Sequence, residues 1–471
     1  MFNLNNIRMR PRLIGLFLLV GLVPMLTIGT LSVRVADEAL LDESYAELDA
    51  VSRIKSGRVE DFFAKVQADL TVLVDTVSTL RSQALSRLET ARNIRKERVE
   101  ALFRRLGNDV RLLRGDPQVR RALVDFTEAW RKGGGRVDGA EWDAAARQHA
   151  NRLKAISTFN GFYDLFLISR DGAIVFTVAR ESDLSQVIPE SPLKDSGLGK
   201  AFRAARAGAA DEIAIADFEA YAPSGGAHAA FMVIQMRDEG GELAGFVAIQ
   251  IPDNRITEIM ADRNGLGASG SSFLVGRLGS VTALRSERPA GGKIGQRIVD
   301  PFADRALGGE SGSDLRLGAN GDAELIAFSP LEVAGLTWAV LVTVDATEVM
   351  APKLEGETDD LYAKFITRYG YHNLSLFNGN GLMFYSVAQG SDYRTNLVDG
   401  KFAATNLGGL VRETLKNKTF GIADFRAYPP ANGAQAAFVA LPLLHASEVE
   451  LVVALQLNAE RLDEIMAERT G

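Results

Sequence analysis

"YDLFLISRDGAIVFTV", residues 163–178, is where the periodicity of this chain changes. Upstream, apolar residues recur three and four apart, as on one face of a helix. Here two short apolar runs, 163–168 and 173–178, flank Asp171-Gly172, a dipeptide that favours a tight hairpin turn. Two strands joined by a hairpin are predicted. The stretch returns in altered form as "YHNLSLFNGNGLMFYSV", residues 371–387, so the fold that it opens is opened twice.

Downstream of the first copy the pattern is mixed. "GLGKAFRAARAG" (197–208) reads as a short helix. "EIAIADF" (212–218), "AAFMVIQM" (229–236) and "LAGFVAIQI" (243–251) read as strands, with "DEGG" (238–241) turning between the last two. Asp253 is placed to cap a helix through Ile256, Ile259 and Met260. This is an α+β module, a short antiparallel sheet with helices packed on it. A second module follows, with a hairpin at 271–281 and closing strands at 324–331 and 336–345. From Leu354 the first module restarts, and "NRITEIMADRNG" (254–265) comes back as "ERLDEIMAERTG" (460–471).

Upstream of the hairpin the text is helical. No proline occurs between Val35 and Gly115. Val59, Phe63, Val66, Leu70 and Leu73 form one apolar stripe, and Val99, Phe103, Leu106, Val110 and Leu113 form another with the same steps. One long helix, or two antiparallel helices turning near residues 78–88, satisfies this spacing, and in either case the stripes need cover. "RKGGGRVDG" (131–139) reads as a loop before a further helix at 140–156. Leu13 to Val33 carries no charge and would make a helix of about 31 Å, enough for a hydrocarbon core of about 30 Å. Arg8, Arg10 and Arg12 precede it, which puts the N-terminus in the cytoplasm and the rest outside. The run is longer than a signal-peptide core and is read as a retained anchor.

Composition excludes several classes. With 46% hydrophobic residues the chain is not disordered, and a net charge of −7 does not suit a nucleic-acid platform. There are no cysteines, and the four histidines (His149, His228, His372, His445) show no metal-ligand spacing. No catalytic motif is present, so neither an enzyme nor a cofactor is expected. "GLGASG" (265–270) has the glycines of a nucleotide loop but follows a helix and precedes a strand, the reverse of that motif's context.

The second repeated stretch carries the candidate chemistry. "DFEAYAPSGGAHAAF" (217–231) returns as "DFRAYPPANGAQAAF" (424–438). An acid, a tyrosine hydroxyl and a turn rich in free backbone N–H groups suit a small polar molecule. The same residues suit a structural role, with Asp217 capping the turn, Tyr221 packed on it and Phe231 in the core. The copies differ: Ser224 aligns with Ala431, His228 with Gln435, Asp171 with Asn380 and Glu181 with Gly390. They are not expected to bind the same thing equally.

Anchor, helical stalk and paired α+β modules, in this order, resemble the sensory half of bacterial methyl-accepting chemotaxis proteins with double Cache domains. The words that carry the resemblance are "DLFLISRDGAIVFTVARESD" (164–183), "DFEAYAPSGGAHAAF", "QIPDNRITEIMADRNGLGASGSSFLVG" (250–276) and "SPLEVAGLTWAVLVTVD" (329–345), with "LIGLFLLVGLVPML" (13–26) at the anchor. The resemblance implies an α+β chain of PAS-like Cache modules with antiparallel sheets behind a transmembrane helix and a long helical stalk. It implies a bacterial inner-membrane protein with most of its mass in the periplasm, a homodimer, and a small-molecule ligand or a solute-binding protein as partner. The divisions expected are a cytoplasmic segment 1–12, a transmembrane helix 13–33, a stalk 34–150, a membrane-distal module 151–264, a membrane-proximal module 265–350 and a repeated module 351–471 whose second unit is incomplete. A second membrane helix, a HAMP segment and a signalling domain are not seen, so the chain is read as the sensory part of a longer protein. The arginine–tryptophan–tyrosine cluster of some amino-acid-binding members is also not found. The candidate ligand-binding residues are Tyr163, Phe166, Phe176, Asp183, Asp217, Tyr221, Ser224 and Phe231, with Asp424, Tyr428 and Phe438 in the repeat. The output read from the resemblance is chemotaxis. A histidine kinase, a nucleotide cyclase, or a standalone anchored binding protein are the alternatives.

Overall fold

The computed structural model describes residues 9–289, 291–318, 321–445 and 447–467. Arg8 and the rest of the segment 1–8, and the last four residues of the repeat, lie outside the described residues. The chain divides into two compact units, one formed by residues up to Asp75 with those from Phe365 onward, the other by Thr76–Lys364.

Of the two helical readings, the continuous one is observed. Helix α1 runs unbroken from Met9 to Gly115, with Pro24 inside it. Its first part is the one helix, among the described residues, long and apolar enough to cross a membrane. Pro24 removes one backbone N–H donor from this part, and the helix continues through it.

In the Thr76–Lys364 unit, α1 is followed by α2 (Pro117–Lys132) and α3 (Ala140–Asn160). Asp116 caps α2, its carboxylate accepting from the backbone N–H groups of Gln118 and Val119, and Gly161 closes α3 in the left-handed conformation. The segment expected as stalk therefore divides. α2 and α3 are a layer on the first sheet: Phe126 stacks on Phe176 at 4.8 Å, and the Trp142 indole N–H donates to the Val175 carbonyl at 2.9 Å. Their amphipathic faces find cover on a sheet of the same unit.

The first sheet contains β1 (Asp164–Ser169), β2 (Ile174–Thr177), β3 (Ala214–Ala220), β4 (His228–Arg237) and β5 (Leu243–Gln250), in spatial order β2-β1-β5-β4-β3, with α4 (Gly197–Ala207) on one face. On that face Phe166, Ile168, Phe231, Val233, Phe246 and Ala248 pack against Leu198, Ala201, Phe202 and Ala205 of α4. α5 (Asp253–Ala261) leads out. Its N-cap is Pro252 rather than Asp253, whose side chain instead accepts from the N–H of Asn254. The second sheet, with β6 (Ser271–Leu278), β7 (Val281–Leu284), α6 (Pro301–Leu307), β8 (Gly312–Leu317), β9 (Ala323–Val333) and β10 (Leu336–Asp345), has the equivalent order β7-β6-β10-β9-β8. The short helix α7 (Ala346–Met350) ends it. The stripe Val99, Phe103, Leu106, Val110 and Leu113 is buried. Buried Arg95 ties α1 to this part of the unit through the Ser272 hydroxyl at 2.9 Å and the backbone carbonyl of Asp262.

In the other unit, the C-terminal part after α8 (Leu361–Tyr369) has β11 (Asn373–Asn378), β12 (Met383–Ser386), α9 (Asn406–Asn417), β13 (Gly421–Tyr428), β14 (Ala434–His445), β15 (Glu448–Gln456) and α10 (Ala459–Ala467). Its sheet has the order β12-β11-β15-β14-β13, the topology of the first. Val66, Leu70 and Leu73 of α1 are buried in this unit, where the Tyr371 hydroxyl donates to Asp69 at 2.6 Å. All three sheets are antiparallel, as the hairpin signals imply.

Candidate functional site

β1 opens with a charge. Asp164 is fully buried at the first position of an apolar strand, opposite Gln250 of β5. Four donors hold it: the N–H groups of Leu165 (2.7 Å), Val178 (2.8 Å) and Ala179 (3.0 Å), and the Thr177 hydroxyl. Burial outweighs these bonds and pushes its carboxyl up to about 6.

The loop after β2 supplies the next acids. Arg180 and Ser185 take left-handed φ values of 55° and 78°, a cost that folded proteins concentrate at functional loops. Between them, Asp183 is fully buried. Its Oδ2 accepts the Tyr221 hydroxyl at 2.7 Å. The N–H groups of Asp183 and Leu184 favour its charge, yet Oδ1 itself accepts no hydrogen bond. Desolvation raises this carboxyl, and the Tyr221 bond acts against the rise. The Tyr221 phenol is in turn driven up, first by burial and then by the Asp183 charge.

Tyr221 reaches Asp183 because of the turn that follows β3. A short 3-10 helix, Ala222–Ser224, ends at Gly225 with φ 66°, and the chain returns to bond Tyr221 N–H to the Ala227 carbonyl at 2.9 Å. Phe231 packs edge-on against the Tyr221 ring at 4.9 Å and fixes it. Toward solvent, Glu181 joins the two halves: Oε1 accepts from the Tyr163 hydroxyl at 3.1 Å and Oε2 from the Ser224 hydroxyl at 2.7 Å. Tyr163 is 48% exposed, whereas Tyr221 is 1% exposed. A polar cluster thus runs from surface to core, with three carboxylates (Glu181, Asp183, Asp164) and no basic side chain bonded to them among the described residues.

The structure brings Tyr163, Asp183, Tyr221 and Ser224 together. It places Phe166 and Phe231 in the core beneath them, their rings 6.1 Å apart. Phe176 and Asp217 are corrections. A register shift in the β1–β2 pair pairs Leu167 with Phe176 and Ile168 with Ile174, which turns Phe176 to the α2–α3 side of the sheet. Asp217 faces away from the cluster and bonds Arg285 and Trp338 of the second sheet module. In the repeat, Tyr428 donates to Asp392 at 2.5 Å and packs on Phe438 at 4.9 Å, as in the first copy, while Asp424 is solvent-exposed and accepts from the Phe425 N–H. Asp164, Glu181 and Gln250 were not in the expected set. Asp164 was legible as a lone charge inside an apolar strand. Glu181 lies in loop text that gives no such signal.

A family model described as "Cache domain" matches residues 36–352. Among curated proteins none matches the chain. Solved structures that match part of the chain include an extracellular ligand-binding receptor from Desulfohalobium retbaense, at 13% identity over 55% of this chain and 40% of that one, TM-score 0.36. The ligand-binding domain of the Pseudomonas aeruginosa amino-acid chemoreceptor PctC, in complex with GABA, is 17% identical over 54% of this chain and 96% of its own, TM-score 0.34. The sensor domain of the V. cholerae histidine kinase DctB is 13% identical over 57% and 97%, TM-score 0.36. The match over residues 36–352 covers α2–α3, both five-stranded sheets of the Thr76–Lys364 unit and the whole acidic cluster, and on it the chain belongs to the Cache domain family.

Proposed function

We propose that this protein is an anchored extracytoplasmic sensor of the bacterial cell membrane, and that module 151–264 binds a small solute bearing an amine or other cationic group at Asp183, Asp164 and Glu181. One observation carries the reading: Asp183 is buried with Oδ1 unbonded, beside two further carboxylates and no bonded cation among the described residues. A buried carboxylate without a full set of donors is costly, and a cationic ligand relieves that cost. Tyr221 and Ser224 would orient the ligand, and Tyr163, at the exposed end, would close over it. Module 265–350 would relay the signal, and module 351–471 would serve as a second, less acidic copy. Leu41, Tyr45 and Leu48 of α1, all more than half exposed and spaced four and three apart, support association of α1 with a second copy.

The output we favour is chemotaxis, with the sensory half of a histidine kinase as the second reading. The test is thermal unfolding of the full chain in lipid nanodiscs against small amines, amino acids, sugars and dicarboxylates. Ligand at a hundred times its Kd adds about 2.7 kcal/mol. Stabilisation by amine-bearing solutes, lost in Asp183→Asn, is expected; stabilisation by dicarboxylates alone, or by none of the panel, sinks the reading. Loss of taxis toward the stabilising amine in a deletion strain separates the chemoreceptor output from a kinase.

A further inference from the structure

β3 points two ways. Its C-terminal end delivers Tyr221 to the acidic cluster. Four residues earlier, the pairing of β3 with β4 slips between Ala216 and Glu219, and this bulge directs Asp217 and Phe218 onto the second sheet module. There the Asp217 carboxylate accepts from Arg285 Nε at 2.9 and 3.0 Å and from the Trp338 indole N–H at 3.1 Å, with Arg285 Nη2 in ion-pair contact at 2.9 Å. Arg285 and Trp338 are both fully buried. Gly276 makes their approach possible, since a Cβ there would meet Trp338 Cδ1 at 2.8 Å and Arg285 Nε at 3.0 Å. Around the indole ring, Phe218 lies at 6.0 Å and Phe103 of α1 meets it edge-on at 5.3 Å.

Arg285 also donates to the carbonyls of Ala283, Leu284 and Arg277, which fix it to the second sheet module, and Asp217 is the carboxylate that balances its buried charge, so parting the two is costly. The Trp338 indole, bonded to Asp217 and edge-on to Phe103, links this ion pair to α1. We propose that Asp217 is the coupling residue of this protein: through Arg285 and Trp338 it ties the position of β3, and with it Tyr221, to the second sheet and to α1. This rests on the acidic cluster being the sensing site. Asp217 is a positioning residue and touches no ligand. The aspartate of the repeat, Asp424, has no such partners among the described residues and stays exposed, so the sequence word by itself does not confer the role.

The experiment is hydrogen–deuterium exchange on the full chain in nanodiscs, read at residues 99–110 of α1. Tyr221→Phe removes the phenol from Asp183 and perturbs the site without any ligand. It is made in three backgrounds: native, Trp338→Phe, and the charge-balanced pair Asp217→Asn with Arg285→Met. Trp338→Phe leaves the ion pair intact, so it is informative even where the double variant folds poorly. The expected result is that Tyr221→Phe changes exchange in this segment about threefold or more in the native background, and by less than about half as much once the latch is cut. An equal change with and without the latch overturns the proposal, and so does an unchanged segment in the native background. The outcome is separable from the sensing reading: absence of any amine-induced melting shift sinks the latter, whereas a flat exchange pattern sinks the coupling.

Discussion

Asp164 and Asn373 occupy the same position in two copies of one module, each at the start of the first strand and opposite a glutamine, Gln250 or Gln456. Around them the backbone is repeated closely. The loops carry left-handed non-glycine residues at matching places, Arg180 and Ser185 in one, Gln389 and Arg394 in the other. Both clamp a buried aspartate with a tyrosine, Asp183 with Tyr221 and Asp392 with Tyr428, and both rest that tyrosine on a phenylalanine at 4.9 Å. The charge is not repeated. Glu181 aligns with Gly390, and Asn373 bonds the Ser386 hydroxyl at 3.0 Å as a neutral group where Asp164 stands as an acid. The clamp is therefore common to both copies, and the two extra carboxylates, Asp164 and Glu181, set the first copy apart in charge.

The largest effect that would break this comparison concerns the shared frame. Phe231→Ala and Phe438→Ala each empty a buried ring position and should cost about 3–5 kcal/mol in denaturant unfolding. Similar losses fit a common frame; a small loss in one copy would show that its clamp is not held by the ring. Next comes the charge. Asp183→Asn should weaken amine binding by roughly thirtyfold or more in calorimetry, as for removal of one side of a buried charge contact, and Asp392→Asn should change it little. Equal losses would mean that the copies share the ligand.

A third test uses pH. Asp164 has its carboxyl raised from 3.8 to about 6, so its contribution to folding is full below the unfolded value and is lost as pH rises through the folded one. Stability of the first module should fall between about pH 4 and 7 by at most roughly 3 kcal/mol, at about 1.4 kcal/mol per pKa unit. Asp164→Asn, which installs the residue of the repeat, should flatten that slope in chemical denaturation; an unchanged slope assigns it to other groups. The smallest effect is expected at Ser224. Ser224→Ala, matching Ala431, removes one hydrogen bond to Glu181 and should cost about 1 kcal/mol or less of binding.

How the chain is built was largely readable from order and spacing. The hairpin at Asp171-Gly172, the strands around Phe231 and Phe246, the restart after Leu354 and the apolar stripes of α1 all follow from local periodicity and turn chemistry, which act over a few residues. That the first part of α1 is long and apolar enough to cross a membrane follows from length and lack of charge. The tyrosine of the site was legible in its repeated word, and Asp183 in the loop that the family resemblance picked out.

Other features depend on neighbours far along the chain. Nothing in "DFEAYAPSGG" distinguishes Asp217 from Asp424, yet one holds a buried arginine and an indole and the other faces solvent. Their difference lies in Arg285 and Trp338, residues of another module. The direction of Phe176 depends on a one-residue slip in strand pairing, which reverses the face without altering composition. By itself the sequence determined the elements, their order and the duplication, because helix, strand and turn preferences are short-range. Tertiary structure alone decided which carboxylates meet and which side chains cross between modules, because burial, register and charge pairing are set only once distant segments pack together.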